Sequence, residues 1–284
     1  MKNTAILLVD CPDRKGIAAA IANFLYENDA NILHSDQHED EITVRFLLRV
    51  EWNLLGCKLD FDGFKTNFTP IAENFSMRWR MERSNTPTKL AVFVSRFDHC
   101  LADLLYRDAR LELSCKVAVV ISNHTDAKRL CDFYAIPFYH VPVTATTKST
   151  AEARQLQLLA KYKINLVALA RYMQVLSVYF LTKFAQPIIN VHHSFLPAFS
   201  GARPYHRAFE RGVKLIGATS HYVTEDLDEG PIIEQGVARV SHRDQLDELI
   251  ERGRDLERTV LSKAIAWHGQ HRILVYNGKT VIFD

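Results

Sequence analysis

Near residue 85 the hydrophobic pattern of this chain changes its period, and the two patterns belong to different kinds of sheet. Before that point apolar residues alternate with polar ones. Val44, Phe46, Leu48 and Val50 fall on one side of the run 43–52, with Thr43, Arg45 and Arg49 on the other; Met77, Trp79 and Met81 alternate with Arg78 and Arg80. A period of two sets one face against a core and the other in water. After it, the runs 90–94, 117–121, 137–141, 166–169 and 188–192 are apolar without alternation, as in strands buried on both faces of a parallel sheet. Between the two lies Arg83-Ser-Asn-Thr-Pro-Thr-Lys89, polar and without periodicity, which reads as a linker. The expected division is a first domain over 1–83, a linker over 84–89 and a second domain over 90–284.

In the first domain an apolar run at 5–10 precedes Ile17, Ala20, Ile21, Phe24 and Leu25 at helical spacing. An extended pattern resumes at 31–36, and the alternating run 43–52, a helical stretch at 61–75 and the strand 76–82 follow. The order β-α-β-β-α-β predicts a ferredoxin-like sandwich, with two helices on one face of an antiparallel sheet. The second domain reads as α/β, a Rossmann-like doubly wound sheet. Its strands at 216–223 and 232–240 lead to a charged helix over 243–268, and a terminal hairpin at 273–283 turns at Asn277-Gly278.

Composition excludes several classes. The 284 residues, 48% hydrophobic, supply two cores. The 35 basic and 33 acidic residues are interspersed and leave a net charge of +2, so no nucleic-acid footprint stands out. The apolar stretch at 5–9 is too short for a signal segment or a membrane span, which predicts a cytoplasmic protein with no membrane partner. Cys11, Cys57, Cys100, Cys115 and Cys131 are widely spaced with no Cys-x-x-Cys pair, so neither a disulfide framework nor a metal knot is expected.

Ligands of open parallel sheets bind beyond the carboxyl ends of the strands. One strand end is rich in polar residues: the run at 188–192 sends Asn190 and His192 to the same side and continues through His193 and Ser194 to Pro197. An amide NH2 and an imidazole aimed at one point polarise a carbonyl and hold the oxyanion formed on attack. A base is then missing. The loop after the strand 216–223 supplies Glu225, Asp226, Asp228 and Glu229, any of which is suited to orient or deprotonate a nucleophile.

Asn190-x-His192-x-Ser194-x-Leu196-Pro197, followed by Leu227-Asp228-x-Gly230-Pro231, resembles the folate-dependent formyltransferase fold. The resemblance implies a catalytic triad of Asn190, His192 and Asp228. Ala170-Arg-Tyr-Met-Gln-Val-Leu-Ser177 resembles that family's folate-pocket segment, which implies pterin contacts from Met173, Gln174, Val175 and Leu176, with Glu225, Asp226 and Leu227 as the opposite wall. His193 and His221 match no catalytic position of the motif and are expected to be structural, with His221 near the site.

Glycinamide-ribonucleotide transformylases carry a glycine-rich turn after the first strand, whose N–H groups hold the acceptor's phosphate. Here that turn reads Ser95-Arg-Phe-Asp-His-Cys-Leu101, with no glycine. This replacement, together with Ser200-Gly-Ala-Arg-Pro-Tyr-His-Arg207, resembles the formyltetrahydrofolate deformylases, in which water is the acceptor; Arg203 stands where the resemblance leads one to expect lysine. The first half agrees. Asp10-Cys-Pro-Asp-Arg-Lys-Gly16 and Ala30-Asn-Ile32 resemble an ACT regulatory domain, which implies an amino-acid effector held near Asp10, Asp13, Gly16 and Asn31 and a homo-oligomer formed through paired sheets. The implied activity is hydrolysis of 10-formyltetrahydrofolate, with the folate and water as partners and with neither metal nor cofactor. Its rivals are transfer of the formyl group to an amine and a non-catalytic folate or amino-acid sensor.

Overall fold

The computed structural model describes residues 3–197 and 204–284, which form two compact units: one ends at Pro87 and also takes in Gln270–Asp284, and the other is Thr88–Gly269. The first unit runs β1 (Thr4–Pro12), α1 (Ile17–Glu27), β2 (Asn31–Asp40), β3 (Arg45–Asn53), α2 (Phe61–Asn74) and β4 (Arg78–Arg83). Its strands lie in the order β2-β3-β1-β4, every neighbouring pair antiparallel. This is the β-α-β-β-α-β sandwich that the spacing predicts. Gly16, at φ 96°, turns the chain into α1 in a left-handed conformation that favours glycine. The Asp60 carboxylate accepts the Gly63 N–H at 2.7 Å and caps α2. Leu7, Val9, Leu48, Val50 and Trp52 pack beneath Ile17, Ile21, Leu25, Phe64 and Phe68.

The opposite face of this sheet is not in water, contrary to the alternating pattern. Leu47 is fully buried and Arg49 only 7% exposed, because the hairpin of β12 (Ile273–Tyr276) and β13 (Lys279–Ile282) lies there. Leu274, Tyr276 and Phe283 close over Ile6, Leu8 and Leu47. Arg49 Nε donates to the His271 carbonyl at 3.1 Å and Arg80 to that of Ile273 at 2.7 Å, while the Tyr276 hydroxyl donates to Asp40 at 3.0 Å. The expectation of a second domain over 90–284 is therefore corrected at its end: the hairpin exists, with Asn277 and Gly278 both at positive φ as a tight two-residue turn needs, but it belongs with the first unit. Val44, expected in the core, sits in the turn before β3 at φ 50° and is exposed.

The second unit contains β5 (Thr88–Val94), α3 (His99–Ala109), β6 (Cys115–Ser122), α4 (Lys128–Phe133), β7 (Phe138–His140), α5 (Lys148–Tyr162) and β8 (Leu166–Ala170). These are followed by α6 (Val178–Lys183), β9 (Ile188–His192), α7 (Pro204–Arg211), β10 (Leu215–Tyr222), β11 (Ile232–Arg239) and α8 (Leu246–Gly269). The sheet order is β11-β10-β9-β8-β5-β6-β7. From β7 to β9 all pairings are parallel, whereas β10 runs against both β9 and β11. The chain enters at β5, builds outward to β7, then returns to the other side with β8. The order thus reverses between β5 and β8, and a crevice opens beyond their carboxyl ends. No helix among the described residues is long and apolar enough to cross a membrane.

Phe283, 1% exposed, carries much of the hairpin's contact. Phe283→Ala is expected to cost the first unit about 3–5 kcal/mol. Hydrogen exchange should show lost protection at Ile6, Leu8 and Leu47, with β5, β8 and β9 keeping theirs.

Candidate active site

Strand periodicity sends Asn190 and His192 to the same side of β9, and the neighbouring β10 places His221 opposite Asn190 and Thr219 opposite His192. Asn190 Nδ2 lies 3.2 Å from His221 Nε2. His221 Nδ1 is 2.9 Å from the Tyr222 carbonyl oxygen, to which it donates, and this turns Nε2 toward Asn190.

Beyond β10 the chain folds back on itself at Gly230. A Cβ there would lie 1.7 Å from the Tyr222 carbonyl oxygen, so no other residue fits that path. The Tyr222 N–H donates to the Pro231 carbonyl at 2.9 Å and fixes the return. Asp228, at φ 59°, thereby points back at β9. One carboxylate oxygen lies 3.2 Å from His192 Nδ1 and the other 3.6 Å from His221 Nε2. Hydrogen bonds from His192 and then His221 hold the Asp228 carboxyl well below the usual carboxylate range, against the opposing pull of burial. His192 is 6% exposed, and its Nε2 is buried with no partner among the described residues. Such an atom costs about 1–3 kcal/mol until a ligand meets it.

The facing wall begins where β8 ends. Arg171, at φ 61°, breaks the strand, and its carbonyl accepts the Ser95 N–H at 3.3 Å. The Met173 N–H donates to Ser95 Oγ at 2.9 Å, and Gln155 donates to the Tyr172 hydroxyl at 2.8 Å. At the far end the buried Glu152 accepts both the Ser177 hydroxyl and, at 2.9 Å, its N–H, while Ser177 caps α6 by accepting from Phe180. The segment between is thus tied at both ends. Tyr172 and Leu176 turn inward, while Met173 and Val175, each 56% exposed, present apolar side chains outward.

One cavity of about 270 Å³ joins these parts. Asn190, His192 and Asp228 line it, and so do Met173, Gln174, Val175 and Leu176 on one side and Glu225, Asp226 and Leu227 on the other. Leu169, Arg171, Tyr172, His193 and His221 complete much of the wall. A polar, charged end therefore meets a slot lined by Met173, Val175, Leu176 and Leu227, as suits a flat heteroaromatic ligand with a reactive carbonyl at one end.

A family model described as formyl transferase matches residues 88–265, and one described as ACT domain matches residues 5–51. The formyltetrahydrofolate deformylase of Synechocystis sp. is 52% identical over 280 residues, covering 99% of this chain and 98% of that protein. The chain belongs to the formyltetrahydrofolate deformylase family. The crystal structure of a family member from Pseudomonas syringae pv. tomato superposes with a TM-score of 0.97 at 47% identity, covering 100% of this chain and 95% of that one. Glycinamide ribonucleotide transformylase 1 from Symbiobacterium toebii matches with a TM-score of 0.67 at 29% identity, covering 71% of this chain and 97% of that one. The deformylases thus share the whole chain, and the transformylase a part.

In this family member the turn after β5 carries His99 at the start of α3. His99 Nε2 lies 2.7 Å from the carboxylate of Glu257 on α8, which also accepts the Tyr205 hydroxyl at 2.8 Å and faces Arg171 at 3.5 Å. Gly253, one turn before Glu257, makes this possible, since a Cβ there would lie 2.2 Å from the Tyr205 ring. Burial alone would raise the Glu257 pKa; His99 and Arg171 bring it below its ordinary value. His99, Cys100 and Glu257 hold ligand atoms within 4.8 Å of one another, but this carboxylate already serves three partners, and burial drives the Cys100 thiol well above its ordinary pKa. A metal needs the thiolate.

The residues expected to hold an effector are spread along the first unit. Asp10 is buried and paired with Arg45 and Arg78, the Asp13 N–H donates to the Val44 carbonyl at 3.0 Å, Gly16 starts α1, and Asn31 opens β2. Arg203 lies outside the described residues. The sequence reading placed His221 near the site as a structural residue and gave no role to Ser95 or Glu152. For His221 the signal was available in the pairing of β9 with β10, which sets it opposite Asn190.

Gly230→Ala is expected to displace the loop that carries Asp228. Hydrogen exchange should rise across 223–230 while β8 and β9 stay protected, and the melting temperature should fall by several degrees.

Proposed function

We propose that this chain hydrolyses 10-formyltetrahydrofolate to formate and tetrahydrofolate. The observation that carries the reading is the convergence of Asn190, His192 and Asp228 at one end of a cavity whose other end is an apolar slot. The backbone of Met173, Gln174, Val175 and Leu176 reads the pterin edge, their apolar side chains cover its face, and Glu225, Asp226 and Leu227 form the opposite wall. The formyl group then lies beside His192, whose buried Nε2 has no other partner among the described residues.

Water attacks the formyl carbon, and the carbonyl electrons move onto an oxygen held by the Asn190 amide and by His192 in its protonated form. Asp228, ionised and bonded to His192, stabilises that imidazolium and orients the attacking water. Collapse expels N10, which takes up a proton as it leaves. The formyl carbon is electrophilic without further activation, so the scheme requires no metal or cofactor.

In the cell this activity would balance the one-carbon pool and supply formate for purine synthesis, in the cytoplasm. The first unit supports a regulatory role: Asp10, Asp13, Gly16 and Asn31 are the candidate amino-acid site, with Asp10 acting through the two arginines it holds. The edge strand β2 is exposed along its length except at Asp40, with Ile32 and Leu33 uncovered, which supports a homo-oligomer formed by edge pairing.

The direct test is to incubate the purified protein with 10-formyltetrahydrofolate and no amine, and to follow formate. Release without an acceptor supports the hydrolase; release only with an amine would replace it by a transferase; no release would leave a sensor. Asn190→Ala and His192→Ala should each lower turnover about 10²–10³-fold with unchanged thermal unfolding. Because Asp228 resists protonation, its carboxylate should stay ionised throughout pH 5–8; Asp228→Asn should therefore lower turnover at every pH in that range.

A further inference from the structure

The hydrolysis proposed above needs a group to receive a proton from the attacking water. Asp228 is poorly suited to this, since its carboxylate already faces His192 and His221. His193 is differently placed. It follows His192 at the end of β9, lines the same cavity, and packs its ring between those of His192 and Tyr205, with centroids 5.1 and 6.2 Å away. Among the described residues no hydrogen bond engages either of its ring nitrogens.

The charged and titratable groups that face it come from four elements: His192 on its own strand, Arg171 on the loop after β8, Asp228 on the loop after β10, and Glu257 on α8 through Tyr205. Burial, then Arg171 and His192, pull its pKa down to about 3, with Glu257 and Asp228 opposing them. At neutral pH the ring is therefore the free base, with a lone pair to offer.

We propose that His193 is a further catalytic residue, the base that takes a proton from the attacking water; the inference rests on the hydrolase reading. As the water oxygen bonds to the formyl carbon, one of its O–H bonds yields the proton to His193, and the carbonyl electron pair moves onto the oxygen held by Asn190 and His192. The negative charge that develops there offsets the positive His192 ring, which otherwise lowers the proton affinity of His193, and so raises that affinity as the bond forms. On collapse the C–N10 bond breaks with its electron pair going to N10, and the proton passes from His193 to that nitrogen. A ring that holds a proton weakly in the resting site gives it up readily to an amine nitrogen. The sum consumes one water and yields formate, tetrahydrofolate and one released proton.

The test compares His193→Gln, whose amide still hydrogen-bonds water but takes no proton, with His193→Ala assayed with and without added imidazole. General-base catalysis contributes 10²–10⁴-fold, so both variants should lose at least 100-fold in kcat while KM for 10-formyltetrahydrofolate stays within threefold. Imidazole should restore the alanine variant several-fold. Turnover of His193→Gln above a third of wild type would overturn the assignment, because hydrogen bonding alone would then suffice. So would a loss of folate binding that accounts for the fall in rate. Wild-type protein that releases no formate would instead count against the hydrolase reading itself.

Discussion

A carboxylate has to reach the end of β9 from a loop more than thirty residues away, and the chemistry of the cavity depends on that reach. Two local facts secure it. The antiparallel pairing of β10 with β9 brings His221 level with Asn190, and the missing side chain at Gly230 lets the following loop fold back under the Tyr222 carbonyl. Asp228 then meets two histidines at once. A carboxylate so engaged stays ionised, and in the proposed mechanism its charge would stabilise an oxyanion-binding His192 beside it. Pairing register, a glycine and an ion pair thus act in series, and the loss of one removes the effect of the others.

The walls show the same economy. The slot segment after β8 belongs to no helix or strand, yet its ends are tied by Ser95, just after β5, and by Gln155 and Glu152 from α5. On the other flank Glu257 gathers His99, Tyr205 and Arg171, elements that would otherwise have separate positions. Buried ion pairs of this kind repay their dehydration only when the geometry is good and the remaining hydrogen bonds are made. Their use beside the proposed site points to positioning as their role.

Much of this was legible in the residues, and the exceptions have physical causes. Unbroken apolar runs gave the strands of the second unit, but a run buried on both faces reads the same in either direction, so the reversed course of β10 was hidden. The hairpin at Asn277-Gly278 was plain; its destination was not, because Arg49 and Arg80 on the receiving face looked solvent-facing and in fact hold the carbonyls of His271, just before the hairpin, and of Ile273 within it. Period two was enough to pair Asn190 with His192. Asp228 could be singled out from its acidic neighbours only through resemblance to a known motif, since four acids in one loop have equal claims by chemistry alone. His221 was expected near the site, but its place opposite Asn190 came only from cross-strand register, and Ser95 and Glu152 became visible only through contacts with backbone far along the chain.

The hairpin that covers the first sheet has a consequence for biosynthesis. Ile6, Leu8 and Leu47 leave the ribosome early, but their cover lies beyond the whole of Thr88–Gly269. At ordinary elongation rates the wait is roughly 10–40 s. For that time the nascent chain displays an apolar sheet face whose cover, residues 270–284, has not yet been made, so the first unit is begun first and completed last. Isolating the leading segment by cutting the gene after residue 87 would yield a sheet with one raw side, whereas grafting residues 270–284 onto it supplies the missing layer.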